Sequence, residues 1–277
     1  MPVFYEPVFR PRELPEHPER IVSLSPAITE TVFMLGQGSR LVGVSAFCQR
    51  PEEAKRVRRV GSYSHARPEV LREVRPDLIL AVSGYQARSM EEVSREFTTF
   101  TLELPSSVPG ILDMVKRVGA VLGCPVQAMD LMCRLEGSMP DPYDGERIPA
   151  YVEIDLGGPV SFGIGSYITD ALHLCGFESV YGRRDSEWLK PDDAETAAID
   201  PEVIIYEPKM FSNFKREEFE AEMRRRGLAQ TRAFRKGNVF ITPGKLDFLA
   251  HHGPSFITDA IPWLLGIRKR IEGLDGI

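Results

Sequence analysis

The stretch Arg20-Ile21-Val22-Ser23-Leu24-Ser25-Pro26, followed by residues 27–36, decides the fold of this chain. Its first segment is short, contains β-branched residues and ends at a proline, which predicts a buried strand. The second segment has apolar residues at helical spacing and ends at Gly36, which predicts a short helix with a glycine just past its last turn. A strand followed directly by a helix is the start of a βαβ unit.

The alternation of strands and helices continues outward from this stretch. Residues 41–45 and 77–82 predict two further strands, and residues 68–74 predict a helix between them. Strands that alternate with single helices indicate a parallel sheet, and the loops at the carboxyl ends of such strands form the usual ligand crevice.

The second half of the chain repeats this pattern. Residues 69–81 predict a helix followed by Arg75-Pro76-Asp77-Leu78, and residues 195–206 predict a helix followed by Asp200-Pro201-Glu202-Val203. Turn-rich residues 140–149 separate the halves. We therefore predict an α/β fold of two Rossmann-like lobes joined by a helical linker. The predicted divisions are an N-terminal arm at 1–19, an N-terminal lobe at 20–124, a linker helix and loop at 125–149, and a C-terminal lobe at 150–277.

Composition and charge limit the functions open to this chain. It has 277 residues, of which 43% are hydrophobic and 27% charged, as is typical of a soluble globular protein. The formal net charge of -6 argues against binding to nucleic acid or to an anionic membrane surface. No apolar run approaches the roughly 20 residues that a membrane-spanning helix needs.

The beginning of the sequence bears on the compartment. Residues 1–19 contain five prolines and no continuous apolar segment, so they do not resemble a signal peptide. We therefore expect a cytoplasmic protein as the sequence reads, or a periplasmic or cell-surface protein if a leader is missing.

Signatures of catalysis are absent from the sequence. It contains no Gly-x-Ser-x-Gly elbow, no P-loop and no His-Glu-x-x-His motif. No three residues have the spacing of a tight metal site, and the four cysteines form no CxxC pair. We predict a protein that is not an enzyme, requires no cofactor and holds no free metal ion.

Five short motifs in the first half of the chain carry a family resemblance. They are Ile21-Val22-Ser23-Leu24-Ser25-Pro26 with Thr29-Glu30, Val42-Gly43-Val44-Ser45, Val60-Gly61-Ser62-Tyr63, Pro68-Glu69-Val70-Leu71 and Arg75-Pro76-Asp77-Leu78-Ile79. With these motifs the chain resembles the class III periplasmic substrate-binding proteins of ABC importers, and most of all their cobalamin-binding branch. The resemblance implies a chelatase-like bilobal fold, a corrinoid (cobalamin) or another metal chelate as ligand between the lobes, and a monomer that delivers this ligand to an ABC permease.

The resemblance also indicates ligand-binding residues. A corrinoid is flat, mostly apolar at its centre and fringed by amides, so its site needs aromatic walls and a few polar contacts. Phe47 and Tyr63 fall on aromatic ligand contacts of the cobalamin-binding relatives. Trp188 falls near another aromatic contact, and Asp247 falls on a polar one.

Further candidates lie close to these positions. His65, next but one to Tyr63, could face the same cleft, and Tyr85 and Tyr167 are weaker candidates on nearby loops. His251 stands where relatives often carry arginine, next to His252. Two adjacent histidines could hydrogen-bond an amide or phosphate of a ligand, or coordinate a chelated iron or cobalt.

Two glutamates are candidates for docking on a permease. Glu69 matches the N-lobe glutamate with which the resembling proteins contact arginines of their permease. The matching position of the second lobe is Ala194, so Glu195, one residue later, is the candidate there. A shift of one residue rotates a helical side chain by about 100°.

Other functions remain open beside a corrinoid binder. A siderophore or haem binding protein would have the same fold, and basic residues in the cleft would favour a catecholate siderophore. A cytoplasmic corrinoid carrier, or a chelatase-like enzyme that uses His251 or His252 to insert or remove a metal, would also fit a bilobal fold.

Overall fold

The first half of the chain forms a five-stranded parallel sheet. The computed structural model describes residues 14–84 and 86–273. All its strand pairs are parallel, as the alternation of strands and helices predicted, and the sheet order is β3-β2-β1-β4-β5. Its strands are β1 (Ile21–Ser23), β2 (Leu41–Ser45), β3 (Arg59–Gly61), β4 (Leu78–Val82) and β5 (Thr99–Leu102).

Helices cover this sheet and connect its strands. α1 follows β1 directly, because Pro26 occupies the first helical turn, where no backbone N–H is needed. Beyond α1, Gly36 has a φ of 74°, a left-handed conformation that glycine adopts without strain. The helices of this half are α1 (Pro26–Met34), α2 (Pro68–Val74), α3 (Ala87–Val93), α4 (Val108–Val121) and α5 (Pro125–Glu136), with short 3₁₀ turns at Gly38–Arg40 and Glu52–Arg56.

The second half forms a mixed sheet in the order β11-β10-β6-β7-β9. Its central strand β6 pairs in parallel with β10 and with β8, and antiparallel with β7. β9 then pairs antiparallel with β7. The strands are β6 (Ile148–Asp155), β7 (Pro159–Phe162), β8 (Phe177–Ser179), β9 (Trp188–Leu189), β10 (Val203–Glu207) and β11 (Val239–Ile241).

The helices of the second half are α6 (Tyr167–Leu174), α7 (Asp193–Ile199), α8 (Arg216–Arg225), α9 (Arg232–Lys236) and α10 (Ile261–Ile271). A 3₁₀ turn at Leu228–Gln230 precedes α9, and a π-helical segment, Phe256–Ala260, leads into α10. None of the described helices combines the length and the apolar character needed to cross a membrane.

The internal repeat is visible in the geometry of α2 and α7. Each helix has seven residues and ends at a non-glycine residue in the left-handed conformation, Arg75 with φ 45° and Asp200 with φ 55°. In both halves a proline follows, and a parallel strand begins three residues after the left-handed position. The two helices are therefore equivalent, and Glu69 and Ala194 occupy the same helical position.

α4 and α5 join the two halves. α4 contacts α1 on one side and α6 on the other, and its first backbone N–H, at Val108, donates to the carboxylate of Asp170 in α6 at 2.7 Å. α5 packs against α4 so closely that a methyl group at Gly119 would lie 2.2 Å from the Cβ of Ala128. One buried apolar cluster runs from β1 through α4 and α5 to β6 and α10. The halves therefore share a core instead of being linked by a free hinge.

Candidate functional site

A pocket opens between the two sheets, at the carboxyl ends of their strands. In the first half, the residues that line the pocket come shortly after the ends of the five strands. They are Pro26 after β1, Phe47 after β2, Tyr63 after β3, Ser83 and Gly84 after β4, and Leu104 and Pro105 after β5. The second half contributes Leu156, Val160, Phe162, residues 165–168, Glu187, Trp188, Met210, Asp247 and residues 250–252. The cavity has a volume of about 350 Å³, within the usual range of small-molecule sites.

Phe47 and Tyr63 form the aromatic wall of the first half. Their rings meet edge to face, with centroids 6.5 Å apart and an interplanar angle of 79°. Phe47 is 37% exposed and therefore has surface left to cover a ligand. Burial, followed by the charge of Asp247, raises the pKa of the Tyr63 phenol, so it stays neutral.

A buried amide fixes the loops that carry this wall. The side chain of Gln86 donates to the carbonyl oxygens of Tyr63 at 2.7 Å and Leu24 at 2.9 Å, and it accepts the backbone N–H of Val82 at 2.8 Å. These contacts connect the carboxyl ends of β1, β3 and β4. A fully buried amide with three partners positions the wall firmly.

The opposite wall is the face of an antiparallel pair. Phe162 of β7 and Trp188 of β9 are direct register partners, and both line the pocket. Leu156, at the turn between β6 and β7, is 55% exposed at the edge of the same pocket. Behind this wall the hydroxyl of Tyr167 donates to the carbonyl of Leu249 at 2.8 Å. The wall is therefore apolar, with Phe162 buried and Leu156 exposed at its edge.

The polar end of the pocket is a network of charged side chains. His251 Nε2 lies 2.8 Å from Glu30 Oε2, and His251 Nδ1 lies 3.5 Å from Asp247 Oδ2. Arg50 donates to Asp247 Oδ1 at 2.9 Å and to the Asp247 carbonyl at 2.5 Å. Asp247 and His251 are therefore held by Arg50 and Glu30 from the first half of the chain.

Burial and nearby charges shift the pKa values of the two neighbouring histidines, His251 and His252, in opposite directions. Burial lowers the pKa of His251, but the carboxylates of Glu30 and Asp247 outweigh it and raise that pKa to about 9. Burial, together with the positive charge of His251, lowers the pKa of His252 to about 4. At neutral pH, His251 is a cation held between two carboxylates, and His252 is neutral. Because His251 is protonated at neutral pH, it offers no imidazole lone pair to a metal.

A buried carboxylate supports the loop that carries these residues. Glu207, at the end of β10, accepts the backbone N–H groups of Phe248 at 3.1 Å, Ala250 at 3.2 Å and Leu249. Burial outweighs these hydrogen bonds and raises the pKa of Glu207 to about 7. The loop is therefore fixed from below by Glu207 and from the side by the ion pairs.

The structure brings together seven of the residues that the sequence indicated. The same pocket is lined by Phe47, Tyr63, Tyr167, Trp188, Asp247, His251 and His252. His65 is exposed on the turn after β3 and is not among the lining residues. Tyr85 lies outside the described residues.

The docking candidates lie at the starts of equivalent helices. Glu69 is exposed in the first turn of α2, and Glu195 lies in the first turn of α7. Glu195 forms an ion pair with Arg184, so its carboxylate already has a partner.

Sequence analysis did not assign Glu30, Arg50, Glu207 or Phe162 to the site. Thr29-Glu30 belongs to one of the five family motifs, but the motif does not show that Glu30 meets a residue 221 positions away. The position of Arg50 shortly after a predicted strand was the only local signal for that residue.

Comparison with known proteins agrees with this architecture. Residues 21–246 match a family model described as periplasmic binding protein. The vitamin B12-binding protein of Yersinia pestis (strain Pestoides F) is 25% identical over 193 residues, which cover 68% of this chain and 69% of that protein.

Solved structures share the fold. The periplasmic vitamin B12 binding protein BtuF of Vibrio cholerae superimposes with a TM-score of 0.74 at 20% identity, over 92% of this chain and 98% of that one. A periplasmic heme binding protein from Pseudomonas aeruginosa has the same TM-score at 21% identity, over 90% and 91% of the two chains. The resemblance found in the motifs is thus confirmed, and the chain belongs to the periplasmic binding protein family, the non-catalytic substrate-binding proteins of ABC importers.

Proposed function

We propose that this protein binds a corrinoid-like chelate in the pocket between its halves and delivers it, as a monomer, to an ABC permease. The observation that carries the proposal is the pair of aromatic walls, Phe47 with Tyr63 and Phe162 with Trp188, which border one cavity from opposite halves. Flat ligands with an apolar centre are held by such walls.

The charge of the pocket supports a corrinoid over its rivals. None of the described residues that line it is a lysine or an arginine. Haem has two carboxylates and a catecholate siderophore is strongly anionic, so each would leave charges without a cationic partner there. The one cation of the lining, His251, is already paired with Glu30 and Asp247. The amides at the edge of a corrinoid require only hydrogen bonds.

A haem ligand is the second candidate, because a periplasmic heme binding protein has the same TM-score as the vitamin B12 binding protein. Fold similarity at this level of identity does not discriminate between the two ligands. The composition of the pocket is therefore the better guide.

Titration with three chromophores tests the proposal. The purified protein is titrated with cyanocobalamin, haem and a ferric catecholate siderophore while the visible absorbance is followed. We expect saturable binding of cyanocobalamin at one site per chain and weaker binding of the others. Saturable binding of only haem or only the siderophore would replace the corrinoid as ligand.

The proposal also includes a compartment and a docking surface. The solved relatives are described as periplasmic, and we propose that this chain works in the same compartment. Fractionation of the source cells tests this, since recovery from the cytosol alone would favour the carrier alternative.

We further propose that Glu69 and Glu195, at the starts of two equivalent helices, contact the permease.

A further inference from the structure

Two charged residues from each half of the chain meet at the polar end of the pocket. Arg50 and Glu30 come from the first half, and Asp247 and His251 come from the loop after β11. The contacts run from Arg50 to Asp247 at 2.9 Å, from Asp247 to His251 at 3.5 Å and from His251 to Glu30 at 2.8 Å. We call these four residues the ionic clamp.

We propose that Glu30 and Arg50 are positioning residues for ligand binding, because they hold Asp247 and His251 across the pocket and so fix the separation of its two walls. The inference rests on the proposed function for its ligand readout, whereas its structural readout needs no ligand. The clamp residues Glu30 and Arg50 are not pocket-lining residues, so they act through the two residues that are.

The clamp is closed to water on the side of Glu30 and His251. His251 is 2% exposed and Glu30 is 7% exposed. The backbone of Gly253 passes so close that a methyl group there would lie 2.6 Å from both Glu30 Oε2 and His251 Nε2, and 3.0 Å from the Cα of Ala27. The contact therefore joins the loop to the start of α1 without intervening solvent. An ion pair in such surroundings is little screened, and the loss of one member leaves the other charge uncompensated.

The contact between Arg50 and Asp247 sets the orientation of the Asp247 side chain. Arg50 binds one carboxylate oxygen and also the carbonyl oxygen of the same residue. The second carboxylate oxygen faces His251. Two donors on one guanidinium determine both the position of the loop and the direction of the carboxylate, which is the reason that arginine is suited to this role.

The backbone adds a fourth contact between the halves. Glu30 Oε2 also accepts the N–H of Ser255 at 3.0 Å, so this carboxylate contacts both ends of the segment from His251 to Ser255. Removal of the Glu30 charge weakens both contacts at once. Arg50 lies further out, with its side chain 23% exposed, so a change there is milder.

The clamp depends on the proton of His251. The charged and titratable groups around this imidazole are Glu30 on α1, Asp247 and neutral His252 on its own loop, Arg50 beyond Asp247, and Glu207 beneath the loop. When His251 loses its proton at high pH, the carboxylates of Glu30 and Asp247 lose the cation between them. We therefore expect the walls to separate and the affinity to fall as the pH rises through about 9.

The test compares Glu30→Gln and Arg50→Gln with wild type, and uses Glu96→Gln as a matched control. Glu96 is an exposed carboxylate that pairs with Arg72 away from the pocket. The dissociation constant for cyanocobalamin is measured from pH 6 to pH 10, and small-angle scattering gives the radius of gyration of the ligand-free proteins. Wild type and Glu96→Gln should show constant affinity up to pH 8 and a loss above pH 9.

The clamp variants should differ in both readouts. For Glu30→Gln we expect an affinity at least tenfold weaker at pH 7, no further loss near pH 9, and a larger radius of gyration. Arg50→Gln should lower the affinity severalfold and keep the loss near pH 9, since His251 and Glu30 remain.

Three outcomes decide the inference. Folded variants with the affinity, pH profile and radius of wild type would overturn it. A weaker affinity that keeps the full pH dependence in Glu30→Gln would also overturn it, since a merely structural defect would leave that dependence in place. If wild type binds no cyanocobalamin, the proposed ligand fails, while the radii of the ligand-free proteins still decide for or against the clamp.

Discussion

Phe162 and Trp188 lie directly opposite each other on the antiparallel strands β7 and β9, and both line the pocket. Opposite residues of an antiparallel pair project to the same face of the sheet, so the two rings form one continuous surface. The first half of the chain builds its wall differently, from loops that follow parallel strands. The ligand pocket is thus bordered by a sheet face on one side and by strand-end loops on the other.

The aromatic walls yield the first prediction. Tyr63→Ala combined with Trp188→Ala should weaken the binding of cyanocobalamin tenfold or more, because each lost aromatic contact contributes on the order of 1 kcal/mol. Visible-absorbance titration measures the change. Phe211→Ala is a suitable control, because Phe211 is 56% exposed and is not among the lining residues. An unchanged affinity in the double variant would remove the assignment of this pocket as the ligand site.

The contact between α4 and α5 yields a prediction on stability. A methyl group at Gly119 would lie 2.2 Å from the Cβ of Ala128, so Gly119→Ala should lower the free energy of unfolding by about 1–3 kcal/mol. Gly266→Ala in α10 is the control, since no atom lies within 4 Å of the added methyl group. It should stabilise the protein by about 0.5–1 kcal/mol through helix propensity.

Chemical denaturation of the two variants measures both effects. The second substitution Ala128→Gly should restore part of the stability of Gly119→Ala, because it makes room for the new methyl group. If Gly119→Ala stabilises the protein as much as Gly266→Ala does, the helices between the two halves can separate easily, and the shared core does not restrict their motion.

The docking surface yields a prediction for transport. Glu69→Lys should reduce the ligand-stimulated ATPase of the cognate importer severalfold, because exposed charge pairs mainly set the association rate and register of two proteins. Ligand affinity should stay unchanged, since Glu69 is not among the residues that line the pocket. Glu217→Lys, an equally exposed first-turn residue on α8, is the control. Equal activity of Glu69→Lys and Glu217→Lys would argue against docking through α2.

The sequence predicts some parts of this site better than others for a physical reason. Phe47 follows a strand that hydrophobic periodicity locates, and Tyr63 ends one of the five family motifs, so both parts of that wall could be found. β7 and β9 have four and two residues, too few for a clear alternation of polar and apolar side chains. The contact of Glu30 with His251 depends on how the two halves pack, and no local pattern encodes it.

Glu207 yields a prediction on the pH dependence of stability. Burial raises the pKa of this carboxyl to about 7, above its ordinary value of 4.5. Between these two values the folded protein retains a proton that the unfolded chain releases, so the contribution of Glu207 makes the free energy of unfolding decrease as the pH rises from about 4.5 to about 7. Below this window its contribution is independent of pH, and above it the loss is complete.

Thermal unfolding of wild type and Glu207→Gln between pH 4 and pH 8 measures this contribution. A glutamine oxygen can still accept backbone N–H groups from the loop after β11 but carries no buried charge, so the variant should lose the decline, which amounts to a few kcal/mol at most. Asp259→Asn, an exposed carboxylate near the start of α10, should leave the profile unchanged. Parallel profiles for Glu207→Gln and wild type would mean that Glu207 is already ionised throughout this range, and that the three backbone hydrogen bonds outweigh its burial.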